Sequence, residues 1–502
     1  MTATSASTRR QLLRAAASLA LAAMLARPTY AAELAFTPER YGARGDGRTD
    51  DSDAFARLSD AVNAAGGGVV QLRKTTYLVG TQKPGPDGAP SEVRLMTFAN
   101  CRRMVTIRGN GARLLCAPGQ RYGMFQPDGT PVAKIVPKGI VGRARPYAAM
   151  IDARFCAGGV HIENLELDGN SGKHIIGGKR GDKGWQIGCV GIALRNNSGP
   201  ERLINVNAHH QPHDGFYIDG PREPTPGVER RFTGIVADMN GRQGMSLVGG
   251  HGYRIERSRF SRTGRGAVAS APGAGVDIEA QRKKPIRDIA FSDCRFEDNR
   301  GCAVVADSGN TADVRFADCR FVGTDNWAVW PDKPGFAFDR CLFLGNLVHV
   351  YGDADPRRAT RFTGCRFTDD PTLSPTGKLA LRKSKASLIK GENVLFDGCA
   401  FTMIGEGVLP RSDAAIYRNC RMTQASPKIA TPRGTFEGRN IIEAKADLGF
   451  SVIAGPTIVN GKELPLRSRE EAQKLKDARE KSTSNKSAAI EGALRSSVEI
   501  QV

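Results

Sequence analysis

The side chains best suited to chemistry lie in three stretches that share one pattern, a Gly followed by alternating residues. They are Asp214-Gly215-Phe216-Tyr217-Ile218-Asp219, Gln243-Gly244-Met245-Ser246-Leu247-Val248 and Ala274-Gly275-Val276-Asp277-Ile278-Glu279. Read as strands, Phe216/Ile218, Met245/Leu247 and Val276/Ile278 face one way, and Tyr217/Asp219, Ser246/Val248 and Asp277/Glu279 face the other. Stacked side by side, with Arg195 on the strand before, they form a wall carrying three carboxylates: Asp219, Asp277 and Glu279. Asp277 and Glu279 would stand about 6.5–7 Å apart along their strand, and Asp219 roughly 9.5 Å from Glu279 across the stack. Such spans suit inverting glycosidic hydrolysis, where one carboxyl protonates the leaving oxygen and another, about 6.5–9.5 Å away, activates water. Crowding of like charges raises one pKa and supplies the acid. The plainer alternative is solvated surface, with Asp277 and Glu279 paired to Arg282 and Lys283.

Neighbouring residues extend the set. Asp214, just ahead of a Gly, is either catalytic or a turn former. His213 is a candidate base, or is simply exposed in one loop with His209 and His210. These three histidines with Asp214 fit no strong metal-ligand spacing, so no metal site is assigned. Tyr217, Arg195, Arg242, Gln243 and Ser246 are candidate substrate contacts, since a planar guanidinium grips a carboxylate with two hydrogen bonds. Arg242 could equally close a corner salt bridge. Trp185, Trp327 and Trp330 offer faces for sugars or pack inside, and His251 is a weaker candidate.

A repeat supplies the elements that would hold these residues. Cys-x-Phe recurs at Cys294-Arg295-Phe296, Cys319-Arg320-Phe321, Cys341-Leu342-Phe343, Cys365-Arg366-Phe367 and Cys399-Ala400-Phe401. Ser258-Arg259-Phe260 opens the series and Cys420-Arg421-Met422 closes it, in steps of 36, 25, 22, 24, 34 and 21 residues. Residues two apart on a strand share a face, so Cys and Phe point inward together. A coil of this length with Gly and Asn corners is the unit of a parallel β-helix, an all-β solenoid. The stacked thiols are expected to be free buried hydrophobes rather than disulfides. Earlier coils fit at Gly159–Asn170 and Gly191–Leu194. Ahead of them, Asp51 can N-cap a helix bearing Ala54, Phe55, Leu58, Ala61 and Val62, which would cover the first coil's edge.

Composition narrows the class. Glycine is abundant, 58 of 502 residues, without the Gly-X-Y period of collagen, and 40% hydrophobic residues exclude global disorder. The apolar run Ala15–Ala26 is too short for a membrane span. It follows Arg9-Arg10 and reads as a twin-arginine-like export signal over 1–32. That segment carries four Arg and no acid, so its removal lowers the formal charge from +20 to +16. A basic protein outside the cytoplasm meets anionic polysaccharides rather than nucleic acids.

The stretch Tyr41-Gly42-Ala43-Arg44-Gly45-Asp46-Gly47-Arg48-Thr49-Asp50-Asp51-Ser52 resembles the N-terminal signature of the pectate-lyase-like superfamily, and Gly66-Gly67-Gly68 with Val69–Leu72 and Tyr77–Val79 continues the likeness. The resemblance implies a right-handed parallel β-helix with an N-terminal capping helix: cap and first coil over 33–80 and β-helix over 81–466, while the Lys/Arg/Glu/Ser-rich composition after Arg467 reads as a charged helix and tail over 467–502. It also implies an enzyme acting on a uronate-containing polysaccharide; the export signal sets it in the periplasm or outside the cell, and the basic charge suits an acidic chain. The polygalacturonase motifs are incomplete: Asp214-Gly215 lacks a preceding Asn-Thr, no Asp-Asp follows on the next coil, and Gly250-His251-Gly252 is followed by no Arg-x-Lys. Pro212-His213-Asp214 resembles part of a mannuronan epimerase motif. Hydrolysis is the expected reaction. Lyase chemistry or C5-epimerisation, with Arg242 or Arg195 neutralising the uronate and His213 or Tyr217 as base, is the alternative, beside a non-catalytic polysaccharide-binding β-helix. Hydrolysis needs no cofactor, whereas Ca2+ would enter with a lyase. The oligomeric state stays open, a homotrimer among the options.

Overall fold

The computed structural model describes residues 35–481, except 86–89, 127, 133–141, 178–185, 346–347, 378, 380–386 and 406–408. The export segment expected over 1–32, the tail beyond 481 and Trp185 lie outside the described residues. Within them no helix is long and apolar enough to cross a membrane.

From Met96–Ala99 to Ser387–Lys390 the coils supply an 11-stranded sheet, and each also supplies one long or two short strands to a 27-stranded sheet that alone continues beyond. One turn runs from Val276–Ile278 through Ile289–Ser292 and Arg295–Glu297 to Val304–Ala306, where the next begins. Successive coils pair in parallel with unchanged register over long stretches: Val276 lies beside Val304, and Phe296 beside Phe321. Coils begin at Gly68–Gln71 and continue to Thr457–Val459, beyond both ends of the Cys-x-Phe series.

The repeat is wider than its Cys-x-Phe part. Phe291, Phe316, Phe338, Phe362, Phe396 and Tyr417 each precede a ladder Cys by three residues and form a second aromatic stack. Its rings lie 4.8–5.3 Å apart, and the stack after the Cys, Phe260 to Phe401, has spacings of 4.6–5.3 Å. Each such contact adds about 0.5–1.5 kcal/mol beyond burial. Between the two strands the chain bends at one left-handed residue: Asp293, Asp318, Arg340, Gly364, Gly398 and Asn419 all have φ of 49–61°. This bend turns both aromatics and the Cys inward. All eleven cysteines are buried and none is in a disulfide.

The helix Ser52–Ala64 buries Ala54, Phe55, Leu58 and Val62. Asn63 meets the free edge of Met96–Ala99, the first strand of the 11-stranded sheet: its Nδ2 donates to the Thr97 carbonyl (2.8 Å) and its Oδ1 accepts from Ala99 N–H (2.9 Å). Asp51 sits at the N-cap position, but its side chain does not cap. It accepts instead from the Arg44 and Gly45 N–H groups (2.7 and 3.0 Å), folding the signature loop back on the helix start.

Candidate functional site

The three aligned stretches are neighbouring strands of the 11-stranded sheet, in the register expected. Ala193, Tyr217, Ser246, Asp277, Val305 and Trp330 form one outward ladder across six coils. Phe216, Ile218, Met245, Leu247, Val276 and Ile278 are buried on the other face. The shared glycines have a packing cause. A Cβ at Gly215 would stand 2.6 Å from Asn240 Nδ2, and one at Gly275 would stand 2.7 Å from Asn299 Nδ2. These buried asparagines tie the preceding turns: Asn240 Oδ1 accepts from Gln211 N–H and Asn299 Oδ1 from Thr263 N–H.

Over the ladder lies a cleft of about 350 Å³ lined by Gln186, Arg242, Asp277, Glu279, Val305 and Asp307, with Ala271 and Pro272 at its rim. Asp277 is 6% exposed. Gln243 fixes it by a two-ended clamp: the amide oxygen accepts from Ala274 N–H (3.0 Å), so the amide nitrogen faces Asp277 and donates to Oδ2 (2.7 Å). Burial first, and the neighbouring Glu279 second, push the Asp277 carboxyl up to about 8. Glu279 is half-buried and accepts from Ser308 Oγ (2.8 Å) and Gln281 Nε2 (3.1 Å). Neither carboxylate pairs with Arg282 or Lys283 among the described ion pairs; Arg282 instead lies 3.5 Å from Asp219. Asp307 was missed by the sequence reading, although Ala303-Val304-Val305-Ala306-Asp307 extends the alignment by one coil and sets Asp307 where Glu279 stands on the coil before.

Asp214 is fully buried rather than poised in the cleft. Arg242 donates to both its oxygens (2.9 and 3.0 Å), and Ser246 Oγ donates to Oδ2 (2.9 Å) while accepting from Arg242 Nη2 (2.8 Å). Burial opposes its ionisation, but Arg242 and His213 outweigh it and hold the carboxyl far below its usual range. His213 is not in an exposed loop with His209 and His210. It is 6% exposed, its Nδ1 is 3.3 Å from Asp214 Oδ1, and Nε2 has no hydrogen-bond partner among the described residues.

Asp219 departs most from expectation. A β-bulge at Val248 pairs Asp219 with Gly249, and the carboxylate is buried against the Lys284 ammonium. It does not line the acidic cleft. Arg195 lies beside Asp219 in register, with its guanidinium 4.6 Å over the Tyr217 ring and Nε 3.3 Å from Asp152. Burial raises the Tyr217 phenol above its usual range. Trp330 stacks on His349 at 4.6 Å, Trp327 is buried beside them, and His251 donates Nε2–H to the Arg222 carbonyl, away from the cleft. A second cleft of about 550 Å³ shares Gln186 and is lined by Glu92, Arg143 and Arg145.

Residues 156–367 match the family model described as a right handed beta helix region. Alginate lyase 7 of Azotobacter vinelandii is 47% identical over 49 residues, 10% of this chain and only 6% of that protein's length. Among solved structures, the A-module of mannuronan C-5 epimerase AlgE4 from Azotobacter vinelandii is 16% identical, covers 85% of this chain and 100% of its own, and has a TM-score of 0.40. An exopolygalacturonase from Thermotoga maritima is 14% identical, with 86% and 93% covered and a TM-score of 0.31.

Proposed function

We propose that this right-handed parallel β-helix is an exported enzyme that hydrolyses glycosidic bonds of an acidic polysaccharide lying across its coils. The observation that carries the reading is Asp277: a buried carboxyl, clamped by Gln243, open to a cleft and protonated at neutral pH beside a second carboxylate. It serves as general acid to the leaving oxygen. Glu279, one strand period away, activates water, with Asp307 as the alternative base on the next coil. Hydrolysis requires this division between an acid and a base. Asp214, Arg242 and Ser246 hold the neighbouring rung rigid, and Asp219 with Lys284 fixes the strand end. Tyr217 and Trp330 stand two coils to either side of Asp277, about 9.6 Å each way by strand spacing, where sugar rings flanking the cut would reach them. Arg143, in the second cleft, adds positive charge suited to a carboxylate-bearing chain. The short match to an alginate lyase agrees with that substrate class.

Elimination or epimerisation finds less support. Arg242 and Arg195 are ion-paired with Asp214 and Asp152, the Tyr217 phenol is shifted away from acting as a base, and His213 is buried against Asp214 outside the cleft lining. The test is a panel of uronate and neutral polysaccharides with the mature protein and its Asp277→Asn and Glu279→Gln variants. Turnover of a uronate polymer that each variant abolishes supports the reading. Binding without turnover in the parent, unchanged when Asp219, Asp277 and Glu279 are all replaced by Ala, makes the protein a scaffold.

A further inference from the structure

A second constellation lies on the other side of the turn that leads into Asp214. Asp168 and His209 end neighbouring strands, Val160–Asp168 and Glu201–His209, and face each other in register. His210 follows in a left-handed conformation, φ 50°, which sets its ring edge-on to His209 at 5.0 Å. One ligand atom from each of the three residues lies within 4.8 Å of the others. His209 Nε2 is 3.0 Å from Glu166 Oε1 and must donate there, because a carboxylate only accepts. In the neutral ring its Nδ1 then carries a lone pair, facing His210 Nδ1 (2.7 Å) and Asp168 Oδ1 (3.7 Å). A carboxylate holding the far nitrogen of a histidine is the arrangement that orients metal-binding imidazoles. Arg113 occupies only Oδ2 of Asp168, and Oδ1 accepts one backbone N–H, from Asn170, with a lone pair to spare.

A separate observation concerns His174, which follows Asp168 in the loop whose Ser171 N–H donates to the His210 carbonyl (3.1 Å). It is 9% exposed, and neither ring nitrogen has a hydrogen-bond partner among the described residues. A buried imidazole with both nitrogens unpaired is costly unless something else satisfies it.

We propose that Asp168, His209 and His210 bind a divalent transition-metal ion. Two imidazoles and one carboxylate suit Zn2+, with water completing a tetrahedral set. The ion would pin the corner from which His210–His213 delivers Asp214 and, through it, Arg242. This proposal does not depend on the cleft's being hydrolytic.

The test is titration of the chelator-stripped full chain with Zn2+ and with Co2+, read by calorimetry and by visible absorption. One saturable ion per chain, with intense d–d bands of four-coordinate Co2+ that Zn2+ displaces, is expected. His210→Ala and Asp168→Asn should each weaken binding at least about tenfold, and His251→Ala should leave it unchanged. Should a variant fail to fold by circular dichroism, X-ray absorption at the zinc edge of the parent decides: two or more imidazoles support the site and fewer overturn it. No saturable binding by the parent, or binding unchanged in folded His210→Ala and Asp168→Asn, also overturns it, leaving the His209–His210 contact as a hydrogen bond alone.

Discussion

Asp277 carries two linked consequences. The folded protein keeps its proton up to about pH 8, whereas the unfolded chain releases it near 3.8. Between those limits the folded state binds more protons, so stability falls as pH rises through them. Asp277→Asn should therefore gain on the parent across that window, by about 1 kcal/mol or more above it, in urea unfolding at several pH values. The same variant should lose about 10²–10⁴-fold in kcat, and the parent's kcat should fall above about pH 8, where the acid ionises. At Asp214 the sign reverses: its lowered pKa contributes stability that is lost as pH falls below the ordinary carboxylate range. Asp214→Asn leaves Arg242 buried without its counter-charge and should destabilise by about 3–5 kcal/mol, while pairing it with Arg242→Met recovers part of that loss in the same assay. Asp277 and Glu279 were legible because a strand's period of two assigns their face. Asp219 shares that period but was misplaced, since neither the bulge at Val248 nor the reach of Lys284 leaves a local mark in the chain.

Aromatic stacks are the elements' main cohesion. Phe338 touches Phe316 and Phe362 in its own stack and Phe321 and Phe343 in the other. Phe338→Ala should cost about 3–5 kcal/mol, by chemical unfolding, against a change within about 0.5 kcal/mol for a surface control such as Arg357→Ala. Gly275→Ala drives a methyl to 2.6 Å from the Ala303 carbonyl oxygen, and overpacking of this kind costs about 1–3 kcal/mol. Because that strand carries Asp277, activity should drop with stability. The Cys-x-Phe half of the repeat was readable as simple alternation. Its partner, Phe three residues before Cys, was equally present but hidden: a left-handed bend interrupts the alternation, so the same inward face returns after three residues instead of two. The Asp51 cap misled for a related reason, since an Asp before a helix signals capping locally while its actual acceptors lie back in the signature loop.

At the scale of the molecule, the proposed function makes the ladder from Tyr217 to Trp330 a track for a polyanion, which the basic balance of the chain suits. Binding and kcat/KM on a uronate polymer should weaken as salt rises from low to physiological strength, while a neutral polymer shows no such trend; matched titrations at several salt concentrations check this. The coil architecture was legible because each repeat restates it. The cleft was only half legible, because its floor follows strand register while its rim, Gln186 and Ala271-Pro272, comes from loops without a period. The most direct measurement is cleavage of a uronate polysaccharide in water enriched with heavy oxygen, followed by product mass spectrometry and ultraviolet absorption. Hydrolysis through Asp277 and Glu279 predicts one heavy oxygen at each new reducing end, no new ultraviolet band, and loss of both products in Asp277→Asn. Unlabelled fragments lighter by one water and carrying a conjugated double bond would contradict it.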